Sequence, residues 1–130
     1  MVRLPGEWAF RDFRDGRGLN VIREWVCTLP PAAQAKIDTI ILLLQVRKVW
    51  PPQYVSALRG YSGIFELRAG SSGVQYRPLG CYGPSRKEFT ILIGTVEKGG
   101  KLPKRDCETA AERRKIILGD LGRTCEHDFS

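Results

Sequence analysis

The side chains best placed for chemistry in this 130-residue chain are basic ones. Arg68 and Arg77 sit in the stretch Phe65-Glu-Leu-Arg-Ala-Gly-Ser-Ser-Gly-Val-Gln-Tyr-Arg77. Residues 65–69 alternate Phe65, Leu67 and Ala69 against Glu66 and Arg68, the period of a half-buried strand. Gly70 and Gly73 are expected to supply the positive φ angles of a short hairpin loop. The two arginines would then stand on a rigid scaffold. Lys98, Lys101 and Lys104 follow in a polar, glycine-rich segment. Two readings fit these cations. In one, Arg68 and Arg77 are exposed strand residues paired with Glu66 or Glu97, each pair contributing under ~1 kcal/mol, and the lysines are a solvated loop. In the other, the set is a funnel for a nucleic-acid backbone. Whether the arginines share a face decides much of the functional reading.

The totals favour the second reading slightly. A formal charge of +7 and a pI near 9.5 attract polyanions, although a basic protein neutralised by an acidic partner has the same charge. Length and a 42% hydrophobic content fit a single domain over residues 1–130, with a core over about 8–118 and a tail over 119–130. The first dozen residues carry Arg3, Glu7, Arg11 and Asp12 and lack the apolar run of a leader. Cys27, Cys81, Cys107 and Cys125 show no paired spacing, so reduced thiols in the cytoplasm are expected. Cys125-Glu-His127 has no CxxC partner, and neither a metal nor a cofactor is expected. The longest apolar run, Thr39 to Leu44, is too short to span a bilayer.

These side chains need elements to position them. Trp8, Phe10 and Phe13 suit an edge strand. Apolar positions from Leu19 to Leu29 fall at helical spacing, and Leu29-Pro30-Pro31 stops that helix. A second helix is expected from about Pro31 to Val49, with Ala33, Ile37, Ile40, Ile41 and Leu44 as its stripe, widened by Leu42 and Leu43. The two form an antiparallel helical hairpin. After the hairpin strands, Phe89 to Val96 reads as the central strand. Asp106 is expected to cap a last helix from Cys107 to Leu118, on which Arg113-Arg114-Lys115 is a wet face or a contact for RNA or an acidic partner. Trp8, Trp25 and Trp50 read as core or interface anchors. The fold class is α+β: an antiparallel sheet of about four strands packed on an N-terminal helical hairpin, with a C-terminal helix, in the order β-α-α-β-β-β-α.

In that order the chain resembles the RelE/HigB-type toxins of the RelE/ParE superfamily, including their phage-associated branch. The resemblance runs from about Gly18 to Leu118. It rests on the helix ending at Leu29-Pro30, the Leu58-Arg59-Gly60 corner, Phe65-Glu66-Leu67-Arg68, Tyr76-Arg77, Ile91 to Val96, Lys98, Lys101-Leu-Pro103, and the last helix with Ala110 and Arg113.

The resemblance implies a toxin of a toxin–antitoxin pair, a metal-independent endoribonuclease that cuts mRNA on the ribosome and so inhibits translation. In that chemistry the 2′-hydroxyl attacks its own phosphate, leaving a cyclic phosphate and a free 5′-hydroxyl. It further implies Arg77 for phosphate and transition-state charge, Arg68 for substrate positioning, and Lys98 as phosphate contact or proton donor. Arg59, Tyr82, Lys101 and Lys104 are the accompanying RNA contacts. The implied partners are a cognate antitoxin of helix-turn-helix type, mRNA and the ribosome, with no membrane. The ParE branch of the same superfamily implies a different outcome, a non-catalytic inhibitor of DNA gyrase. The related pattern often ends its last strand with His-Gly-Phe-x-Lys-Lys; here Ile93-Gly94-Thr95-Val96-Glu97-Lys98 stands there. His127, the one histidine, falls in the expected tail, where a lone histidine is expected to do nothing specific.

Overall fold

The computed structural model describes residues 7–129, so Arg3 lies outside the described residues. Its elements are β1 (Ala9–Phe13), α1 (Val21–Cys27), α2 (Pro31–Gln45), β2 (Val55–Ala57), β3 (Phe65–Leu67), β4 (Ala69–Ser71), β5 (Val74–Tyr82), β6 (Glu88–Val96), α3 (Lys104–Gly119), a 3-10 turn (Leu121–Arg123) and β7 (Thr124–Glu126). The fold is α+β, as expected. The sheet is larger than expected and mixed. Seven strands run in the order β2-β3-β5-β6-β1-β7, with β4 pairing β5 off that path. β1 lies parallel to β6, with Phe10 opposite Phe89 and Asp12 opposite Ile91. No local turn signals that pairing, because the partners lie almost eighty residues apart.

Each face of the sheet carries helices. Phe10, Leu67, Ala69, Tyr76, Phe89 and Ile91 pack with Ile22 and Val26 of α1 and with Ile37, Ile41 and Leu44 of α2. Phe13, Leu79, Cys81 and Leu92 pack with Cys107, Ala110 and Ile117 of α3. α2 ends at Gln45, short of Val49, because two donors take its last carbonyls. The Trp50 indole N–H donates to Leu44 O (2.9 Å) and the Trp8 amide to Gln45 O (2.9 Å). Leu42, assigned to the core stripe by spacing, is exposed with Val46 and Val49.

The strand β6 serves both layers through one irregularity. Leu79 pairs with Ile93 but Gly80 pairs with Ile91, so Leu92 is an extra residue, a β-bulge. Alternation therefore reverses along β6. Phe89 and Ile91 face α1 and α2, Leu92 and Ile93 both pack toward α3, and Gly94 turns back under the Trp25 ring. Arg113, expected on a wet helix face, donates to the Leu92 carbonyl at 2.8 Å and lies over the Phe13 ring. It is a tie between α3 and the bulge. Asp106 lies within the first turn of α3 rather than at its cap, and accepts from Thr95 Oγ1 of β6 at 2.5 Å. A carboxylate there suits the helix dipole.

The expected tail is part of the sheet. β7 pairs antiparallel with β1, Thr124 opposite Phe13. His127 is buried rather than idle: its Nδ1 lies 2.8 Å from Asp12 Oδ1, with Asp38 Oδ1 3.9 Å from Nε2. Asp12 is fully buried and also accepts from Asn20 Nδ2 at 3.0 Å. Asn20 in turn caps α1, its Oδ1 accepting from the Ile22 and Arg23 amides. One carboxylate thus joins β1, the start of α1 and the C-terminal segment.

Two substitutions test this arrangement. His127→Ala removes a partner from a buried carboxylate and is expected to cost about 2–4 kcal/mol in urea unfolding. A cost near zero would mean the C-terminal segment is not part of the cooperative fold. Gly94→Ala puts a methyl into the Trp25 indole and should cost about 1–3 kcal/mol.

Candidate nucleic-acid interface

The hairpin turns at Ser72-Gly73, both at positive φ (50° and 78°), with Ser71 opposite Val74. Gly70 is instead a strand residue opposite Gln75, so only one of the two glycines expected at the turn is used there. Glu66 pairs with Leu79 and Ala69 with Tyr76, a shared register that puts Arg68 across from Arg77. Both arginines stand on the α3 face, because Arg77 alternates with Leu79 and Cys81, which pack there. The bulge falls beyond them, between Leu79 and Gly80.

On that common face the two side chains part. Arg77 turns toward β6 and is buried. Its Nη2 lies 2.9 Å from Glu97 Oε2 and 3.2 Å from Gln75 Oε1, and its Nη1 donates to Tyr76 O. Arg68 turns toward β2 and stays half-exposed, its Nη2 2.9 Å from Glu66 Oε1 and 3.2 Å from Ser56 Oγ. The ion pairs that composition alone suggested are both formed.

Arg68 opens into a groove of about 730 Å³ between β2, β3 and the segment leading into α3. Arg59, Lys101 and Lys104 line it with Arg68, together with Ser56, Tyr61, Glu66 and Cys107. Four of the seven residues singled out in the sequence therefore meet in one concavity. The Lys98 and Lys101 backbones bridge each other at 2.8 and 3.1 Å across Gly99-Gly100, both glycines at positive φ. This is a tight two-residue hairpin, and a Gly-Gly pair is its sequence signal. The turn sends Lys101 to the groove, whereas Lys98 lines a smaller cleft of about 240 Å³ with Trp25, Gly94, Thr95 and Asp106. Arg77 lines neither.

Tyr82 lies on the opposite face of the sheet. It joins Trp8, Trp50, Phe65 and Phe89 in an aromatic cluster with ring centroids 5.0–5.5 Å apart. Burial raises the pKa of its phenol. Trp8 and Trp50 in the same cluster are packing residues, with Lys87 over the Trp8 ring. Trp25 covers Gly94.

Electrostatics narrow the chemistry of the groove. Burial, then the nearby carboxylates of Asp106 and Glu66, raise the Cys107 thiol above its ordinary value. A thiol so held is no thiolate nucleophile at neutral pH. Cys81 beneath the sheet is pushed up to about 11, mainly by burial. His127 is far from the groove, closed in with Asp12 and Phe129. Glu66 is the one carboxylate lining the groove among the described residues, and the sequence marked it only as an ion-pair partner.

A small α+β domain with helices on both sheet faces and a cation-lined groove at one sheet end is the class that this geometry defines. Residues 24–115 match the family described as phage derived protein Gp49-like (DUF891), and the chain belongs to that family. The matched segment includes every residue of the groove and leaves β1, Asp12, β7 and His127 outside it. No curated protein matches the chain.

The two arginines should separate under mutation. Arg77→Ala strips a buried partner from Glu97 and is expected to cost about 2 kcal/mol or more. Arg68→Ala should shift stability by less than ~1 kcal/mol. Equal costs in chemical denaturation would contradict the division between a structural and a groove arginine.

Proposed function

We propose that this protein is the toxin component of a toxin–antitoxin pair, of RelE/HigB type, that cuts mRNA on the ribosome without a metal. The observation that carries the reading is the groove, where Arg59, Arg68, Lys101 and Lys104 surround one carboxylate in a member of the Gp49-like family. Four cations, from the turn after β2 (Arg59), the end of β3 (Arg68), the lysine turn (Lys101) and the start of α3 (Lys104), suit successive phosphates of a single strand and concentrate positive charge where a phosphorane would form. Arg68, the least encumbered guanidinium on the hairpin, is the phosphate ligand in this scheme. Arg77 supports it from behind by holding Glu97 and the end of β6. Lys98 is at most an outer contact from its separate cleft.

On this reading the working partners are mRNA, the ribosome and a separately encoded antitoxin of helix-turn-helix type, and the protein acts in the cytoplasm. Among the described residues, no helix is long and apolar enough to cross a membrane. One observation favours a second reading, a non-catalytic inhibitor on the same fold acting on DNA gyrase. Arg77 is engaged by Glu97 and withheld from the groove, which leaves fewer free cations for catalysis than the resemblance implies.

Induced expression in bacteria separates the two. The expected result is growth arrest with cleaved mRNA, relieved at least about tenfold by Arg68→Ala combined with Lys101→Ala. Arrest with intact mRNA and altered DNA supercoiling would establish the second reading instead. For the purified protein, the affinity for single-stranded RNA should fall with salt at a log–log slope of about −3, shallower by about 0.7 in Arg68→Ala. An unchanged slope in that variant would remove Arg68 from the phosphate path.

A further inference from the structure

We infer that Glu66 is the general base of the groove, the group that takes the proton from the attacking 2′-hydroxyl. The inference rests on the nuclease reading and names the residue that such a reaction requires. Ser56 Oγ donates to Glu66 Oε1 at 3.2 Å, and Arg68 reaches the same oxygen through Nη2 at 2.9 Å and Nε at 3.2 Å. Two donors, Ser56 Oγ and Arg68 Nε, converge on Oε1, while Arg68 Nη2 pairs with it by charge and donates to Ser56 Oγ. Oε2 has no donor among the described residues, although the carboxylate lines the groove. One oxygen fixes the side chain and the other keeps its lone pairs for a proton. The side chain is only 14% exposed, so its orientation is held by packing as well as by these bonds.

The other groove residues leave the role to Glu66. The ammonium groups of Lys101 and Lys104 and the guanidinium groups of Arg59 and Arg68 are donors without lone pairs to offer. Cys107 is held as the thiol. The one imidazole is shut in with Asp12 on the far side of the sheet. Arg68 meanwhile bridges the two functions, fixing the base through its contacts with Oε1 while its exposed edge faces the groove.

The step balances without a cofactor. Glu66 Oε2 accepts the 2′-hydroxyl proton as the 2′-oxygen bonds to phosphorus. The bond from phosphorus to the 5′-oxygen breaks, its electron pair leaves with that oxygen, and a groove lysine ammonium returns a proton to it. The products are a 2′,3′-cyclic phosphate and a 5′-hydroxyl, and solvent carries the proton from Glu66 back to the lysine. No electron transfer occurs.

Glu66→Gln tests the assignment, because the amide keeps an oxygen to accept from Ser56 and Arg68 but cannot take the proton. The assay uses the full chain with programmed ribosomes and a defined mRNA, with product ends analysed. For the wild type, cleavage with cyclic phosphate ends and an acid limb in the pH profile of kcat is expected. In Glu66→Gln, kcat should fall by about 10²- to 10⁴-fold with KM within a few-fold, and the acid limb should vanish. A variant that cuts at the wild-type rate, or that loses only affinity, overturns the assignment and leaves the nuclease reading standing. A wild type that leaves every mRNA intact overturns both. Asp substitution gives a further check: Glu66→Asp should keep the acid limb at reduced kcat, and loss of that limb would overturn the assignment.

Discussion

Helices pack on both faces of β6, and the alternation of this nine-residue strand is broken at one point. In β6 that point is Leu92. Without the extra residue, Gly94 and Val96 would turn toward α3 and Thr95 toward α1. With it, a glycine meets the Trp25 ring and a threonine meets Asp106. At the bulge the Arg113 guanidinium donates to the Leu92 carbonyl from α3, so the defect in the sheet becomes a fixed point for the helix. Since α3 begins at Lys104, directly after the lysine turn, fixing α3 also fixes where Lys101 and Lys104 lie relative to β3. The groove is a product of that register.

Within that frame, burial assigns different work to two like charges on one face. Arg77 is enclosed and hydrogen-bonded on several sides, so its charge is spent on Glu97, Gln75 and a backbone carbonyl. Arg68 has a similar acidic neighbour but remains half in solvent, so the edge of its guanidinium not engaged by Glu66 is open to an incoming phosphate. The same residue type in adjacent positions of a hairpin is thus a buttress in one strand and a contact in the other.

How far the sequence alone reaches follows from the range of the interactions. The helices, the hairpin strands and β6 are written in local periodicity and in proline and glycine positions, and the α+β class follows from them. The parallel β1·β6 pair and the β7 edge have no local signature, since each depends on residues far away in the chain. His127 read as idle because an isolated histidine carries no spacing signal; only the fold brings Asp12 and Asp38 to it. Among the candidate site residues, Arg59, Arg68, Lys101 and Lys104 were nameable by resemblance, and their meeting in one groove needed the structure. Arg77, Lys98 and Tyr82 show the converse, since residue type and order could not tell a buried guanidinium, a neighbouring cleft or the opposite sheet face from the groove. Alternation alone implied that Glu66 and Arg68 share a face, and that signal was available but read only as an ion pair.

The position of β1 has a consequence for how the chain is made. This strand is synthesised early, yet its two neighbours, β6 and β7, lie about eighty and more than a hundred residues later. At ordinary elongation rates of ~5–20 residues per second, a strand carrying Phe10 and Phe13 waits many seconds for its first sheet partner. Its second comes only as residues near 124 emerge. Arg11 and Asp12 break its apolar run, a charged pair of the kind that discourages edge-to-edge association of nascent chains. The aspartate clasped by His127 in the finished molecule is thus one of the two charges that the strand carries while its partners are still to emerge.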